Sequence, residues 1–394
     1  MPKRWVVLTC DGLAISALGA YGSSWLETPA IDALAALGTV YDRVIITHDD
    51  TLETLARFWS DRLAGSGAAE CFLTAGPAAA DLSRLAEQKG FSQCTIVEAI
   101  PDMTCPCVPA EDIESTAMGK LFVPLLERIA EPDDWSTLWV HCDTLVRIWD
   151  APSEWVAGDD SDNEGIEPPS DIGQWLMEDF EAASNPKAEV DPIDHSPPPF
   201  FDDCIVPRVA IPKDAHPDLI TSWMDTYGLQ VRALDQWIGI VAETIAAHGD
   251  DIAILLVGTS GFCLGQNGWV GHRAGPIRSP QIHVPVIVGD QHGYGIRMPG
   301  VRPLDGIVGE LKTGDRATPA AWAMDDDDGR PSVPTITPRA TSVVTTGTWF
   351  YVREGDESRL FVKPDDREDV NDIADRCRDV VDEFEAGDGS QPST

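Results

Sequence analysis

The first fifty residues switch twice between strand-like and helix-like patterning, and this restricts the fold more than any other feature. An apolar run, Trp5-Val6-Val7-Leu8-Thr9-Cys10, ends in Asp11-Gly12. Its uninterrupted, β-branched character is that of a strand covered on both faces. The segment from Thr28 to Gly38 then reads as a short helix, with Thr28 as N-cap, Pro29 in the first turn and Gly38 closing it. A second strand pattern, TVYDRVII over residues 39–46, follows at once. Strand, helix and strand in succession imply a mainly parallel sheet flanked by helices, an α/β fold. The Asp11 carboxylate then sits at the C-terminal end of a strand.

The rest of the chain extends this pattern. QCTIVEAI (93–100) and STLWVHC (136–142) read as further covered strands, and HVPVIVG (283–289) as the last of the main sheet. Residues 218–248 repeat apolar positions at helical spacing, including Leu229, Val231, Leu234, Ile238, Val241 and Ile245, with Gly249 as C-cap. The strand IAILLVG follows, and then a glycine-rich loop, TSGFCLGQNGWVGH (259–272). Residues 157–200, rich in Asp, Glu, Pro and Ser, read as a long excursion over the surface. The expected organisation is a main domain over 1–300 and a small C-terminal α+β subdomain over 301–394. In the latter, TSVVTTGTWFYVR and SRLFVK would pair antiparallel through Glu354-Gly355-Asp356, a helix would start near Asp369, and DGSQPST would be disordered.

Composition limits the partners. With 66 acidic and 28 basic residues the net charge is −38, so the surface repels nucleic acid and anionic lipid. No run approaches the ~20 apolar residues of a membrane span. The N-terminus enters the first strand without the apolar core of a leader peptide, and the nine cysteines form no CxxC pair, which together point to a reducing cytoplasm. Cys105-Pro106-Cys107 lacks the second half of a zinc site, and the aspartates at 325–328 lack the ligand spacing of a calcium loop. Ser260 is not in a nucleophile elbow, because Phe262 stands where the second glycine is needed.

Several blocks, in order, carry a resemblance. They are Val6 to Leu13, Leu18-Gly19-Ala20-Tyr21-Gly22, TPAIDALAALGTVYD (28–42), STLWVHCD, QVRALDQWIGIVAETI (230–245), IAILLVGTSG, GWVGHR with HVPVIV, and the stretch from Arg339 through Trp349-Phe350-Tyr351 to Asp372-Ile373-Ala374. Together they resemble the sulfatases of the alkaline-phosphatase superfamily. The resemblance implies a sulfuric or phosphoric ester hydrolase with a carboxylate-held divalent cation, an activated nucleophile and cationic donors around the substrate's oxygens.

Position by position, much of that equipment is replaced. Asp11 matches the first metal-binding aspartate, while Gly12 stands where a second often lies. Thr51-Leu52-Glu53-Thr54-Leu55 falls on the nucleophile motif, a Cys or Ser followed by x-Pro-x-Arg, so Thr51 takes the nucleophile's place and Leu55 the arginine's. Thr259-Ser260 replaces an Asp-His metal pair, Asn267 replaces a histidine, His272 stands at a lysine position, and Val146 is at or next to a histidine position. The site's positive charge is therefore largely gone. The expectation is a degenerate, non-catalytic binding or regulatory protein needing no cofactor. Its partner would be a sulfated or phosphorylated small molecule or sugar, or a protein. The alternative is a divergent hydrolase with Thr51 as nucleophile, His272 as general acid and a divalent cation (Ca, Mg, Mn or Zn) on Asp11. His48, Asp49 and Asp50 offer Thr51 a base, yet three polar residues before a helix also suit a cap.

Overall fold

The computed structural model describes residues 4–61, 63, 70–97, 108–131, 135–152, 155, 204–212, 215, 217–248, 252–289, 295–313 and 332–388. Cys105-Pro106-Cys107, the acidic stretch 157–200, Gly249, the aspartates at 325–328 and residues 389–394 lie outside them.

Strands β1 (Arg4–Cys10), β2 (Thr39–Ile45), β3 (Glu70–Thr74), β4 (Gln93–Ile96) and β5 (Thr137–Cys142) precede β6 (Arg208–Ala210), β7 (Ile252–Gly258), β8 (Cys263–Leu264), β9 (Trp269–Gly271), β10 (His283–Gly289) and β11 (Ile296–Pro303). Eight of them form one sheet in the order β11-β2-β10-β7-β1-β5-β3-β4. Every pairing in it is parallel except those of β10, which runs antiparallel to both β7 and β2. The mainly parallel α/β architecture read from the sequence is thus the one observed. The sheet continues past HVPVIVG, however, because β11 adds an edge. Pro299 and Gly300 obscure that strand in the sequence, and its register shifts between Met298 and Val301. An edge position tolerates both residues.

The central strand explains the core. Val6, Leu8 and Cys10 point to one face, against the helix Pro217–His248, and Trp5 and Val7 point to the other. On the first face Trp237 of that helix stacks on Phe122. On the second, Trp139 meets Phe58, Trp59 and Phe91 edge to face.

Of the two ends expected for the first helix, Pro29–Leu37, Gly38 closes it and Thr28 does not cap it. The Thr28 hydroxyl points to Asp32, and the open backbone N–H groups of Ala30 and Ile31 donate to the Asp235 carboxylate of the long helix. Gly38 closes the helix in an extended conformation, and it is required for closeness: a Cβ there would lie 1.9 Å from the carbonyl oxygen of Val288. Gly38→Ala is expected to lose about 2–3 kcal/mol in urea unfolding, because the obstacle is backbone and cannot rotate away.

The C-terminal residues form an antiparallel sheet of β12 (Val333–Pro334), β13 (Ser342–Thr345), β14 (Trp349–Glu354) and β15 (Glu357–Val362), with the last pair joined at Gly355 as the sequence implies. The final helix covers Arg378–Asp388 and does not begin at Asp369. Asp369 has a left-handed backbone, and its carboxylate is buried against Lys363 Nζ and the backbone N–H and hydroxyl of Ser279. Residues 47–49 are latched to this subdomain. Ile336 N donates to the Thr47 carbonyl, and Asp49 N donates to the Ile336 carbonyl, both at 2.8 Å. No helix among the described residues is long and apolar enough to cross a membrane.

Candidate functional site

The site forms where the C-terminal ends of β1 and β7 lie side by side. Thr259 N donates to Cys10 O, which ties the end of β7 to that of β1, and Asp11 N donates to Cys142 O at the end of β5, both at 2.9 Å. Gly12 follows with φ +77°, and a Cβ there would stand 2.2 Å from Val146 Cγ1. A second aspartate is thus absent from the sequence, and one placed here would have to displace the Val146 side chain from a left-handed backbone position. Val146, near an expected histidine, instead packs onto this glycine. The Tyr227 hydroxyl donates to Gly12 O and accepts from Ala14 N, both at 2.8 Å, which fixes the loop.

Three hydroxyls converge on Asp11. Thr51 Oγ1 donates to Asp11 Oδ2 at 2.7 Å, and Ser260 Oγ and Thr259 Oγ1 donate to Oδ1 at 2.5 and 3.3 Å. Thr51 opens the helix Thr51–Phe58, whose end is capped by the Asp50 side chain accepting from Glu53 N. Burial alone would push the Asp11 carboxyl upward. The positive charge that His272 takes up in acid, the standing charge of Arg273, that of His141 once protonated, and the Ser260 hydrogen bond outweigh it and hold the group well below the usual carboxylate range. Asp11 is thus an ionised acceptor.

His272 Nε2 lies 2.9 Å from Ser260 Oγ and 3.6 Å from Asp11 Oδ1. An ionised Asp11 can only accept, so the one hydroxyl proton of Ser260 goes to it. The Ser260 oxygen then accepts from Gly12 N at 2.9 Å and from His272, which fixes the imidazole proton on Nε2. Burial pushes the His272 pKa down to about 4, against the pull of Asp11 and with Arg273 adding to the fall. The ring is neutral at pH 7, and Arg273 is the lasting counter-charge beside Asp11.

Arg273 corrects the expectation that the site's positive charge is largely gone. Its Nη2 donates to Thr51 Oγ1 at 3.0 Å and its Nε to Asp49 Oδ1 at 3.1 Å. A second guanidinium, Arg339, comes from the C-terminal subdomain and donates through Nε to Asp49 Oδ2 at 2.8 Å, where Thr337 Oγ1 also donates. Neither arginine stands at a motif position, which is why both were missed. Arg273 is the residue after His272 in GWVGHR, but Arg339 gives no local signal at all. Of the three polar residues before Thr51, Asp50 is the cap, Asp49 gathers the arginines, and the His48 ring turns to the Thr47 hydroxyl.

Asp11, Thr51, Thr259, Ser260 and His272 are thus brought together, with Gly12 N beside them. Leu55 and Asn267 are not. Leu55 is fully buried in the core with Phe58, and Asn267 donates to the Glu368 carbonyl. The donor set does not fit a divalent cation: calcium takes about 6 to 8 oxygen ligands, and a zinc site needs at least three His, Cys or carboxylate ligands. Asp11 is one carboxylate already engaged by three hydroxyls, and among the described residues no three His, Cys, Asp or Glu side chains converge.

No family model and no curated protein matches the chain. Solved structures do match in fold. The phosphonate monoester hydrolase of Agrobacterium radiobacter aligns over 99% of this chain and 94% of its own, at 13% identity and a TM-score of 0.65. A 2-O GAG sulfatase aligns over 99% and 93%, at 14% identity and 0.57. An alkaline phosphatase superfamily protein of Vibrio parahaemolyticus aligns over 93% and 81%, at 11% identity and 0.53. At such identities the likeness concerns the fold, and with the eight-stranded sheet and its C-terminal companion it leads to one conclusion: this chain has the sulfatase-like fold of the alkaline phosphatase superfamily.

Proposed function

We propose that the chain is a non-catalytic binding or regulatory protein built on a sulfatase-like fold, working in a reducing cytoplasm. The observation that carries this reading is the state of Asp11, whose carboxylate is ionised and saturated by Thr51, Thr259 and Ser260. A base useful near neutral pH needs a pKa near neutral, and Asp11 is held far below that. Thr51 is locked as well, with its proton on Asp11 and a lone pair on Arg273. Losing one preorganised donor to a developing oxyanion costs about 3–4 kcal/mol in the barrier, so a site rebuilt this extensively loses useful turnover. A sulfated or phosphorylated small molecule or sugar, or a protein, is the partner class for the rim of Thr51, His272 and Arg273.

One observation favours a second reading, a divergent ester hydrolase. The 2.7 Å contact between Thr51 and an ionised carboxylate is the arrangement of a nucleophile and its proton acceptor. Assays of the full chain and of Thr51→Ala on 4-nitrophenyl sulfate and 4-nitrophenyl phosphate, with Ca, Mg, Mn or Zn added, separate the two. The binding reading expects both proteins to release product at the same background rate. Turnover by the wild type that falls roughly 100-fold or more in the variant establishes the hydrolase instead.

A further inference from the structure

The two thiols that end β1 and β5 lie beside the site and take no part in it. Cys10 and Cys142 are register partners on adjacent parallel strands, both fully buried on the same face. Neighbouring strands lie roughly 4.7–4.9 Å apart, inside the Cα separation of about 4.4–6.8 Å that a disulfide requires. Both side chains lie on the same face of the sheet, and Cys142 Sγ is 3.1 Å from the Thr144 hydroxyl.

We infer that Cys10 and Cys142 form a peroxide-responsive dithiol, which closes to a disulfide across the ends of β1 and β5. In the first step the Cys142 sulfur, as thiolate, attacks one oxygen of hydrogen peroxide. The O–O bond breaks, hydroxide leaves and is protonated to water, and Cys142 becomes a sulfenic acid. The Cys10 sulfur then attacks the Cys142 sulfur, the S–O bond breaks, and the oxygen leaves as a second water with the Cys10 proton. Two thiols are oxidised and one peroxide is reduced to two waters.

The order of attack follows from the surroundings. The Thr144 hydroxyl, 3.1 Å from Cys142 Sγ, can donate to a thiolate there, which makes Cys142 the attacking sulfur and Cys10 the resolving one. The carbonyls of these cysteines accept from Asp11 N and Thr259 N, so the bond would form one residue from the Asp11 carboxylate. The inference does not depend on whether the pocket turns over an ester.

Trypsin supplies a direct test, because residues 5–43 and 129–147 are separate tryptic peptides with one cysteine each. The reduced, native full chain is treated with hydrogen peroxide, denatured, alkylated with iodoacetamide, digested and mapped by mass spectrometry. The expected result is a species joining the two peptides, lighter than their sum by two hydrogen atoms and split by dithiothreitol. In Cys10→Ser the joined species is lost and the 129–147 peptide carries a sulfenic acid trapped by dimedone. Recovery of both wild-type peptides fully alkylated, a sulfinic acid on Cys142, or either peptide joined to another cysteine overturns the inference.

Discussion

Asp49→Ala is expected to lower the stability of the chain by about 3 kcal/mol, although Asp49 touches neither Asp11 nor Thr51. Its side chain is 2% exposed and accepts from Arg273 Nε, Arg339 Nε and the Thr337 hydroxyl. Removing one partner of a buried ion pair costs about 3–5 kcal/mol, because the charge left behind has lost its counter-charge. The lower end applies because the two guanidiniums keep 21% and 17% of their side-chain surface. Arg339 belongs to the C-terminal subdomain, so the same change loosens the latch between Ile336 and residues 47–49. Urea unfolding compares the variant with the wild type, and a loss under about 1 kcal/mol contradicts the role given to Asp49. Thr337→Ala, which removes one neutral donor, is the milder control at about 1 kcal/mol.

Acid is expected to weaken the fold between pH 6.5 and 4 through His272 and His283. Burial pushes both down to about 4, and in His283 the acceptor pull of the Asp42 carbonyl is outweighed by burial with help from Arg43, Lys363 and Arg367. The unfolded chain protonates its histidines near 6.5 and the folded chain near 4, so between those values the unfolded state holds more protons. Stability is complete above about pH 6.5 and falls as the pH drops toward 4. A full shift corresponds to roughly 3 kcal/mol per histidine. Both rings keep a partly exposed edge, which brings the figure to about 2 kcal/mol each.

Asp11 contributes nothing in that window, since its own stabilisation disappears only below the ordinary carboxylate range. Buried Asp150, Asp235 and Asp369 are shifted upward and act in the opposite direction at the acidic end. The informative quantity is therefore the difference between proteins. His283→Gln should lose about 2 kcal/mol less than the wild type between pH 7 and 4.5, and identical slopes would refute the assignment.

The legible parts of the fold and site are those in which neighbours along the chain do the work. The run Trp5 to Asp11, the helix opening at Thr51 and the loop ending at His272 each carry their own pattern, so Asp11, Thr51 and His272 could be named in advance. Long-range partners decide the rest. Asp235, two hundred residues from Pro29, satisfies the N–H groups at the helix start that its chain neighbour Thr28 leaves open. Arg339 reaches Asp49 from almost three hundred residues away, and no local pattern predicts that a surface-type residue will supply charge to a pocket. Gly12 is intermediate. Its identity is plain in the sequence, but the Val146 side chain that any larger residue there would have to displace is brought near only in the folded chain.

The claim on which the functional reading rests is that hydroxyls, not a cation, satisfy the Asp11 carboxylate. Elemental analysis by inductively coupled plasma mass spectrometry, on full-length protein purified without chelators and exchanged into metal-free buffer, measures this directly. The expected content is far below one equivalent of Ca, Mg, Mn or Zn per chain, unchanged in Asp11→Asn. Close to one equivalent in the wild type, lost in Asp11→Asn, would contradict it.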